Sequence, residues 1–374
     1  MRVGRGDLQL VLRAAVNAGG AGALATVVSV EGSAYRRPGA RMWVPAAGGP
    51  PVGSVSAGCL EAEVVEAAGA VAASGGARLL RFDTSGDDEA EWGWGLGCGG
   101  RVEVLVEPAR PALAALEAVL AAHRSRQGVA LATVVRGDPL AGHLVVRADG
   151  GSAGDLAGTA WAAALDGPAR AALATGGPAH AVTSVDGARM FVEVLPPPLR
   201  LVICGAGDDA VPLAALACTL GWVVEVVDDR GARLAPERFP GAGLVLVPDP
   251  AVAAEHVGLD PATAVVVMSH HLGRDRGYVG SFLGAGAGYL GVLGPRARLD
   301  RILADLAVAG RRAALHGPAG LDLGAEGAPE IAVAVVAQVV AVANGATGAA
   351  QGDGPGQPGQ DRWRASTAAS RAPS

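Results

Sequence analysis

The sequence contains no lysine: all 30 basic residues among its 374 are arginine. That absence excludes every chemistry that needs a lysine amine, including the P-loop phosphate cradle, Schiff-base catalysis and kinase-type phosphoryl transfer. Aromatic residues make up only 3% of a chain that is half hydrophobic. The core must then be built from Val, Leu and Ala, which suits close-packed parallel sheet and small-residue helices. Four cysteines, none in a CxxC pair, cannot form a disulfide framework and indicate a reducing compartment. No apolar run reaches the length of a membrane span, and the N-terminus lacks the apolar stretch of a secretory signal. The expectation is a cytoplasmic protein with no membrane contact. A net charge of −6 leaves no basic field to hold nucleic acid.

Glycine, by contrast, is plentiful, with 57 residues, and there are 24 prolines. The length predicts about two domains. The three consecutive prolines Pro196, Pro197 and Pro198 mark the boundary, because they enforce extended backbone and remove donors. This divides the chain into a body over 1–195 and a second over 199–345. A Gly, Gln, Pro and Ser-rich segment over 346–374 has the composition of a disordered tail. Within the first body the hexapeptide at 23–28, Ala-Leu-Ala-Thr-Val-Val, recurs letter for letter at 130–135. It marks either a duplicated strand-hairpin unit or a coincidence in an Ala-rich chain.

The second body alternates apolar runs with helical spacing, which implies a doubly wound parallel sheet. Its first strand opens into Gly205-Ala206-Gly207-Asp208-Asp209-Ala210, a Gly-x-Gly-x-x-Ala turn. Gly205 allows the tight turn, Gly207 lets a pyrophosphate approach the helix N-terminus, and Ala210 permits close packing. Asp228 ends the next strand, about 20 residues on, where a carboxylate accepts from a ribose hydroxyl. Asp208 adds negative charge where an anion would sit. Arg230 is placed either to meet a 2′-phosphate or to lie solvated. Farther on, His270 and Asp275 follow another strand. They could form a proton-transfer pair or supply metal ligands, or His270 could simply bond its own loop. A Rossmann site with His270 as acid/base would make the chain an NAD(P)-dependent oxidoreductase.

Three segments of the first body carry the other chemistry. Cys59, preceded by Gly58, lies just ahead of a predicted helix over 62–73, where unpaired amides favour thiolate or a bound anion. Cys98 sits among five glycines over 92–100. Ser33, Arg36, Arg37 and Arg41 belong to a turn-rich loop whose arginine forks suit phosphate or carboxylate. Taken singly, each segment reads equally as a buried thiol, a structural turn or a set of solvated arginines; together, two glycine-framed thiols and an arginine loop suit a ligand with sulfur or metal at one end and phosphate at the other. By charge alone, Arg36 and Arg41 would hold the phosphate, with Ser33 and Gly58 beside it. Cys59 and Cys98 would face the soft end. No metal-binding tetrad is evident, so any metal would arrive with the ligand.

Taken together over about residues 10–344, these motifs resemble the XdhC/CoxI family of accessory proteins for molybdenum hydroxylases such as xanthine dehydrogenase and carbon monoxide dehydrogenase. The resemblance implies an α/β fold with an N-terminal XdhC-type domain and a C-terminal Rossmann-like domain. It also implies binding and protection of the molybdenum cofactor (molybdopterin) while a terminal sulfur is added. The implied partners are a hydroxylase apoenzyme, a cysteine desulfurase and a second copy of the chain as a homodimer. Cys59, Cys98, Arg36, Gly205, Gly207, Asp228, His270 and Asp275 keep the family pattern. Tyr35 stands where Pro is usual, Asp208 where His is usual, Ser269 for Thr and Pro295 for Ser.

Overall fold

The computed structural model describes residues 5–83, 100–175, 180–185, 187–307 and 315–349. Cys98 and the tail over 350–374 lie outside the described residues. The first body holds two five-stranded sheets. The first sheet has the order β3-β2-β1-β5-β4 and the second β8-β7-β6-β10-β9, so the strands correspond one to one. In the first, β1 (Gly22–Gly32) pairs antiparallel with β2 (Arg41–Pro45) and β5 (Gly100–Pro108), while β3 (Val52–Gly53) and β4 (Arg78–Asp83) form the edges. In the second, β6 (Val129–Arg136) pairs with β7 (His143–Arg147) and β10 (Ala188–Leu195), flanked by β8 (Ser152–Ala153) and β9 (His180–Val185). Helices correspond as well. Helix α1 (Arg5–Asn17) precedes β1 and α2 (Glu61–Ser74) follows β3; α3 (Ala109–Arg124) precedes β6 and α4 (Ala160–Thr175) follows β8. The repeated hexapeptide is therefore the central strand of a duplicated unit.

The hexapeptide also dictates how each unit packs. Side chains alternate across a strand. Ala23, Ala25 and Val27 turn toward α2, and Ala130, Ala132 and Val134 toward α4, their small side chains letting helix and sheet approach closely. Leu24 and Val28, with Leu131 and Val135, join clusters that span both units.

Polar residues at matching positions lie between the two units. Arg41 is the register partner of Thr26, and His143 that of Thr133; Glu107 is opposite Leu24, and Glu193 opposite Leu131. Each acid and base is at most 6% exposed. Arg41 forks onto Glu193, with Nη1 donating to Oε2 at 3.1 Å and Nη2 to Oε1. His143 Nε2 lies 2.6 Å from Glu107 Oε2. Each base of one unit thus pairs with an acid of the other. Burial alone would lower the His143 pKa, but the Glu107 carboxylate overrides it and the net shift is upward. The hairpin glycines match too: a Cβ on Gly53 (φ +86) would lie 2.4 Å from the Arg41 carbonyl oxygen, and one on Gly154 (φ +108) 2.4 Å from that of His143.

After Pro196–Pro198 the chain enters a six-stranded sheet of order β13-β12-β11-β14-β15-β16, with every pairing parallel. Its strands are β11 (Arg200–Cys204), β12 (Val223–Asp228), β13 (Gly243–Leu246), β14 (Thr263–Val267), β15 (Tyr289–Val292) and β16 (Leu315–His316). Helices α5 (Ala210–Thr219) and α8 (Ala328–Ala343) pack together over one face, while α6 (Leu272–Phe282) and α7 (Arg296–Asp305) cover the other. This is the doubly wound Rossmann arrangement expected from the sequence. Arg126 fastens the first body to this domain: its Nε and Nη2 donate to the Asp260 carboxylate and its Nη1 to the Pro198 carbonyl. Among the described residues, no helix is long and apolar enough to cross a membrane.

Removing one member of a buried pair leaves an uncompensated charge, at a cost of about 3–5 kcal/mol. Glu193→Ala should lose stability of that order in urea denaturation. Arg41→Met with Glu193→Leu, an apolar replacement of both partners, should recover most of the loss. A double variant as unstable as the single would show that the stranded charge is not the cause.

Candidate functional site

The first sheet places the arginine loop, the Cys59 loop and the two residues flanking the Cys98-bearing segment toward one of its ends. Strand β1 ends at Gly32 opposite Gly100, the start of β5, and β4 ends at Asp83 opposite Arg101. Strand β2 begins on the same side but farther in, at Arg41 opposite Thr26, and the Ser54 amide donates to the Arg41 carbonyl at 3.1 Å. The arginine loop, the Cys59 loop and both flanks of the Cys98-bearing segment therefore meet at this end. Gly100 needs its missing side chain, since a Cβ would sit 2.4 Å from the Ser33 carbonyl oxygen. Ala34 and Cys59 both pack against the apolar cluster beneath α2.

The site residues divide here. Ser33 is exposed and Arg36 half-exposed, its Nη1 3.2 Å from Asp7 Oδ2 on α1. Gly58 (φ +121) has open space where a Cβ would project. Arg41 does not join them. Its guanidinium is buried on Glu193 and donates to the Gly39 carbonyl at 3.0 Å, so the expected phosphate contact is corrected: this arginine is a structural ion pair. The amides just ahead of Cys59 also have a different owner from the one expected. Those of Ser56, Ala57 and Gly58 donate to the Glu61 carboxylate at 3.0, 3.1 and 2.7 Å. Residue patterns alone assigned Glu61 no role. The signal was present as an acid at the first helical position with serines five and seven residues upstream, a longer-range relative of the capping box.

At the Rossmann loop, Gly205 (φ +112) is required by close approach, as a Cβ would lie 2.6 Å from Ser269 Cα. Asp228 is fully buried rather than held out toward a ribose. Its carboxylate accepts from the Ala206 amide at 2.7 Å and from the Arg230 amide, Nε and Nη2, each at 2.8 Å. Burial pushes its pKa up, but these donors prevail and hold it at about 2. Asp229 accepts from Arg274, and Asp208 from Arg238 at 2.7 Å. The structure does not bring His270 and Asp275 together. His270, with a left-handed backbone (φ +59), places Nε2 2.5 Å from Asp209 Oδ2. Asp275 is buried and accepts from Ser269 Oγ at 2.5 Å and Arg298 Nη2 at 2.5 Å. Gly207, Asp209, Arg230, Arg233 and His270 line a cleft of about 500 Å³. The Asp209 carboxylate turns back over Gly207, 2.8 Å from where a Cβ would lie, and so crowds the pyrophosphate position of a dinucleotide loop. No group of three or more His, Cys, Asp or Glu among the described residues is placed to hold a metal ion.

Because the Asp228 pKa is depressed in the folded state, its contribution to stability is full above about pH 4 and disappears as pH falls through about 2. Asp228→Asn should therefore cost about 2 kcal/mol at pH 7. The gap from wild type should close on acidification in urea titrations. A gap unchanged between neutral and acid pH would contradict the paired carboxylate.

Comparison with known proteins identifies the fold and the family. A family model described as XdhC and CoxI family matches residues 15–83, and one described as XdhC Rossmann domain matches residues 201–339. A Bacillus subtilis (strain 168) protein, named as a probable xanthine dehydrogenase subunit, is 32% identical over 320 residues, covering 85% of this chain and 92% of its own. The uncharacterized protein YqeB of Escherichia coli (strain K12) is 32% identical over 177 residues, 46% of this chain and 32% of its own. The crystal structure of a xanthine dehydrogenase from Bacillus halodurans superposes with a TM-score of 0.75 at 26% identity, covering 95% of this chain and 98% of its own. With the family's two models matched in order and a relative aligned over nearly its whole length, the chain belongs to the XdhC and CoxI family.

Proposed function

We propose that this chain is a maturation factor for a molybdenum hydroxylase of the xanthine dehydrogenase or carbon monoxide dehydrogenase type. In this reading it binds the molybdenum cofactor at the open end of the first sheet and supports its sulfuration together with a cysteine desulfurase. It then delivers the cofactor to the apoenzyme, working as a cytoplasmic homodimer. The names of the relatives support the hydroxylase as partner.

The observation that carries the reading is the difference between the two copies of one fold. The second unit closes its central hairpin tightly, between Gly137 and His143, whereas the first spans Gly32 to Arg41 and includes Ser33 and Arg36. The turn after β8 runs Gly154-Asp155-Leu156-Ala157-Gly158-Thr159 with no thiol, where the first unit carries Cys59 and Glu61. What the first unit adds to the shared scaffold is a thiol in the loop between β3 and α2 and a partly exposed arginine in the loop between β1 and β2. That donor set fits the cofactor: Arg36 would hold its phosphate, the open face at Gly58 would admit its body, and Cys59 would face its soft end. The bound cofactor would supply the molybdenum that receives the terminal sulfur. The chain would bind, orient and shield it from water.

The alternative of an NAD(P)-dependent oxidoreductase draws less support from the Rossmann cleft. There Asp228 is committed to Arg230, and Asp209 crowds Gly207.

Protein purified anaerobically with a source of molybdenum cofactor should carry near-stoichiometric molybdenum and pterin. Cys59→Ala and Arg36→Ala should each reduce retention by about tenfold, the loss of one charge-assisted or metal contact. Absence of pterin, together with tight NAD(P) binding abolished by Gly207 substitution, would replace this reading with the oxidoreductase.

A further inference from the structure

The densest hydrogen bonding at the open end of the first sheet converges on Glu61, two residues after Cys59. Its carboxylate accepts from Ser54 Oγ at 2.7 Å, Ser56 N at 3.0 Å, Ser56 Oγ, Ala57 N at 3.1 Å and Gly58 N at 2.7 Å. The same hydroxyls extend the network, Ser54 Oγ accepting from Ala57 N at 3.0 Å and Ser56 Oγ from Leu60 N at 2.9 Å. None of these bonds involves the Cys59 thiol. They fix the backbone on both sides of it. Burial pushes the Glu61 pKa up, but the serine hydroxyls and the amides outweigh it and hold the carboxyl at about 2. Ala57 is kept at φ +82, a left-handed conformation that a residue with a side chain adopts only when its surroundings over-determine it.

The fold does not demand this arrangement. The second unit makes the corresponding turn, from Gly154 into α4, with Ala160, Trp161 and Ala162 at the start of the helix and no acid turned back into the loop. Its nearest carboxylate, Asp155, instead accepts from the His143 amide at 2.7 Å. This glutamate is present only in the copy that carries the thiol, and it bonds only to the loop before that thiol.

We propose that Glu61 is a positioning residue for Cys59: its carboxylate fixes the Ser54–Gly58 loop so that the thiol is presented to the bound ligand in one direction. The inference rests on the role of Cys59 proposed above and adds the residue that sets its geometry.

The test compares full-length wild type with Glu61→Ala and Glu61→Gln, following iodoacetamide alkylation of Cys59 by peptide mass spectrometry from about pH 6 to about pH 9. Glu61→Ala should shift the alkylation rate at a given pH by about tenfold while unfolding stays cooperative, since a charge-assisted network is lost from the loop alone. Formate should restore the wild-type profile in Glu61→Ala by entering the vacated amide nest. Glu61→Gln, whose amide hydrogens face other donors, should not restore it. Pterin retention should fall in parallel. A wild-type alkylation profile in Glu61→Ala overturns the proposal. Should that variant not fold, Ser56→Ala, which removes the hydroxyl bonds only, should itself move the profile from that of wild type, and an unchanged profile there overturns it equally. If alkylation responds to Glu61 but pterin retention responds to neither Glu61 nor Cys59 substitution, the positioning role stands and the cofactor reading of Cys59 falls.

Discussion

The crossed pairs Arg41–Glu193 and Glu107–His143 govern the first body. Both are dry, and each joins the two units. Desolvating an ion pair and a histidine–carboxylate pair is costly, and it is recovered only when geometry and partners are nearly ideal. That condition fixes register as no apolar contact could. A one-residue slip of β2 or β10 would carry Arg41 or Glu193 to the opposite face of its sheet, against a helix and away from its partner. Arg41 is also the residue at which the arginine loop rejoins the sheet. Its inward anchorage fixes where that loop leaves and returns, and so holds Ser33 and Arg36 at the same end as Cys59.

Duplication then explains how one fold carries both rigidity and chemistry. The second unit keeps the strands, the helices, the hairpin glycine and its half of the crossed pairs. It lacks the thiol, the acid that orders the thiol loop and the long arginine loop. One copy acts as a platform and the other is free to specialise. The Rossmann domain shows a different economy: nearly every acid around its glycine loop is matched to an arginine or histidine, Asp208 to Arg238, Asp228 to Arg230, Asp229 to Arg274 and Asp209 to His270. The cleft is close to electrically neutral and braced by side chains spanning consecutive loops.

Much of this was legible in the residues. Five of the six strands of the parallel sheet could be read directly, because buried strands of such a sheet are uninterrupted apolar runs; the two-residue edge strand β16 has no such run and reads as a loop. The helix predicted after Cys59 fell within a residue or so of α2. The identical hexapeptides pointed to duplication, but an Ala-rich strand has too little individuality to decide it. Sheet order and the matching glycines 53 and 154 do. Side-chain commitments were the hidden part. Arg41 looks like its neighbours Arg36 and Arg37, and only the fold reveals a glutamate 152 residues away. Asp228 occupies the ribose position by spacing, yet Arg230, two residues on, folds back to cover it. His270 and Asp275 are close in sequence but belong to different networks, because the left-handed turn at His270 sends its ring toward Asp209.

The crossed pairs also impose an order of events on synthesis. The first unit cannot close its core while Arg41 awaits an acid 152 residues downstream. At ribosomal elongation rates of about 5–20 residues per second, that interval lasts roughly 8–30 s. Throughout it the nascent chain exposes half of an interface, while the local Glu61 network of the thiol loop is already complete in sequence. The two units must therefore mature as one cooperative body once Glu193 has emerged, and neither half expressed by itself would hold its buried charge neutral.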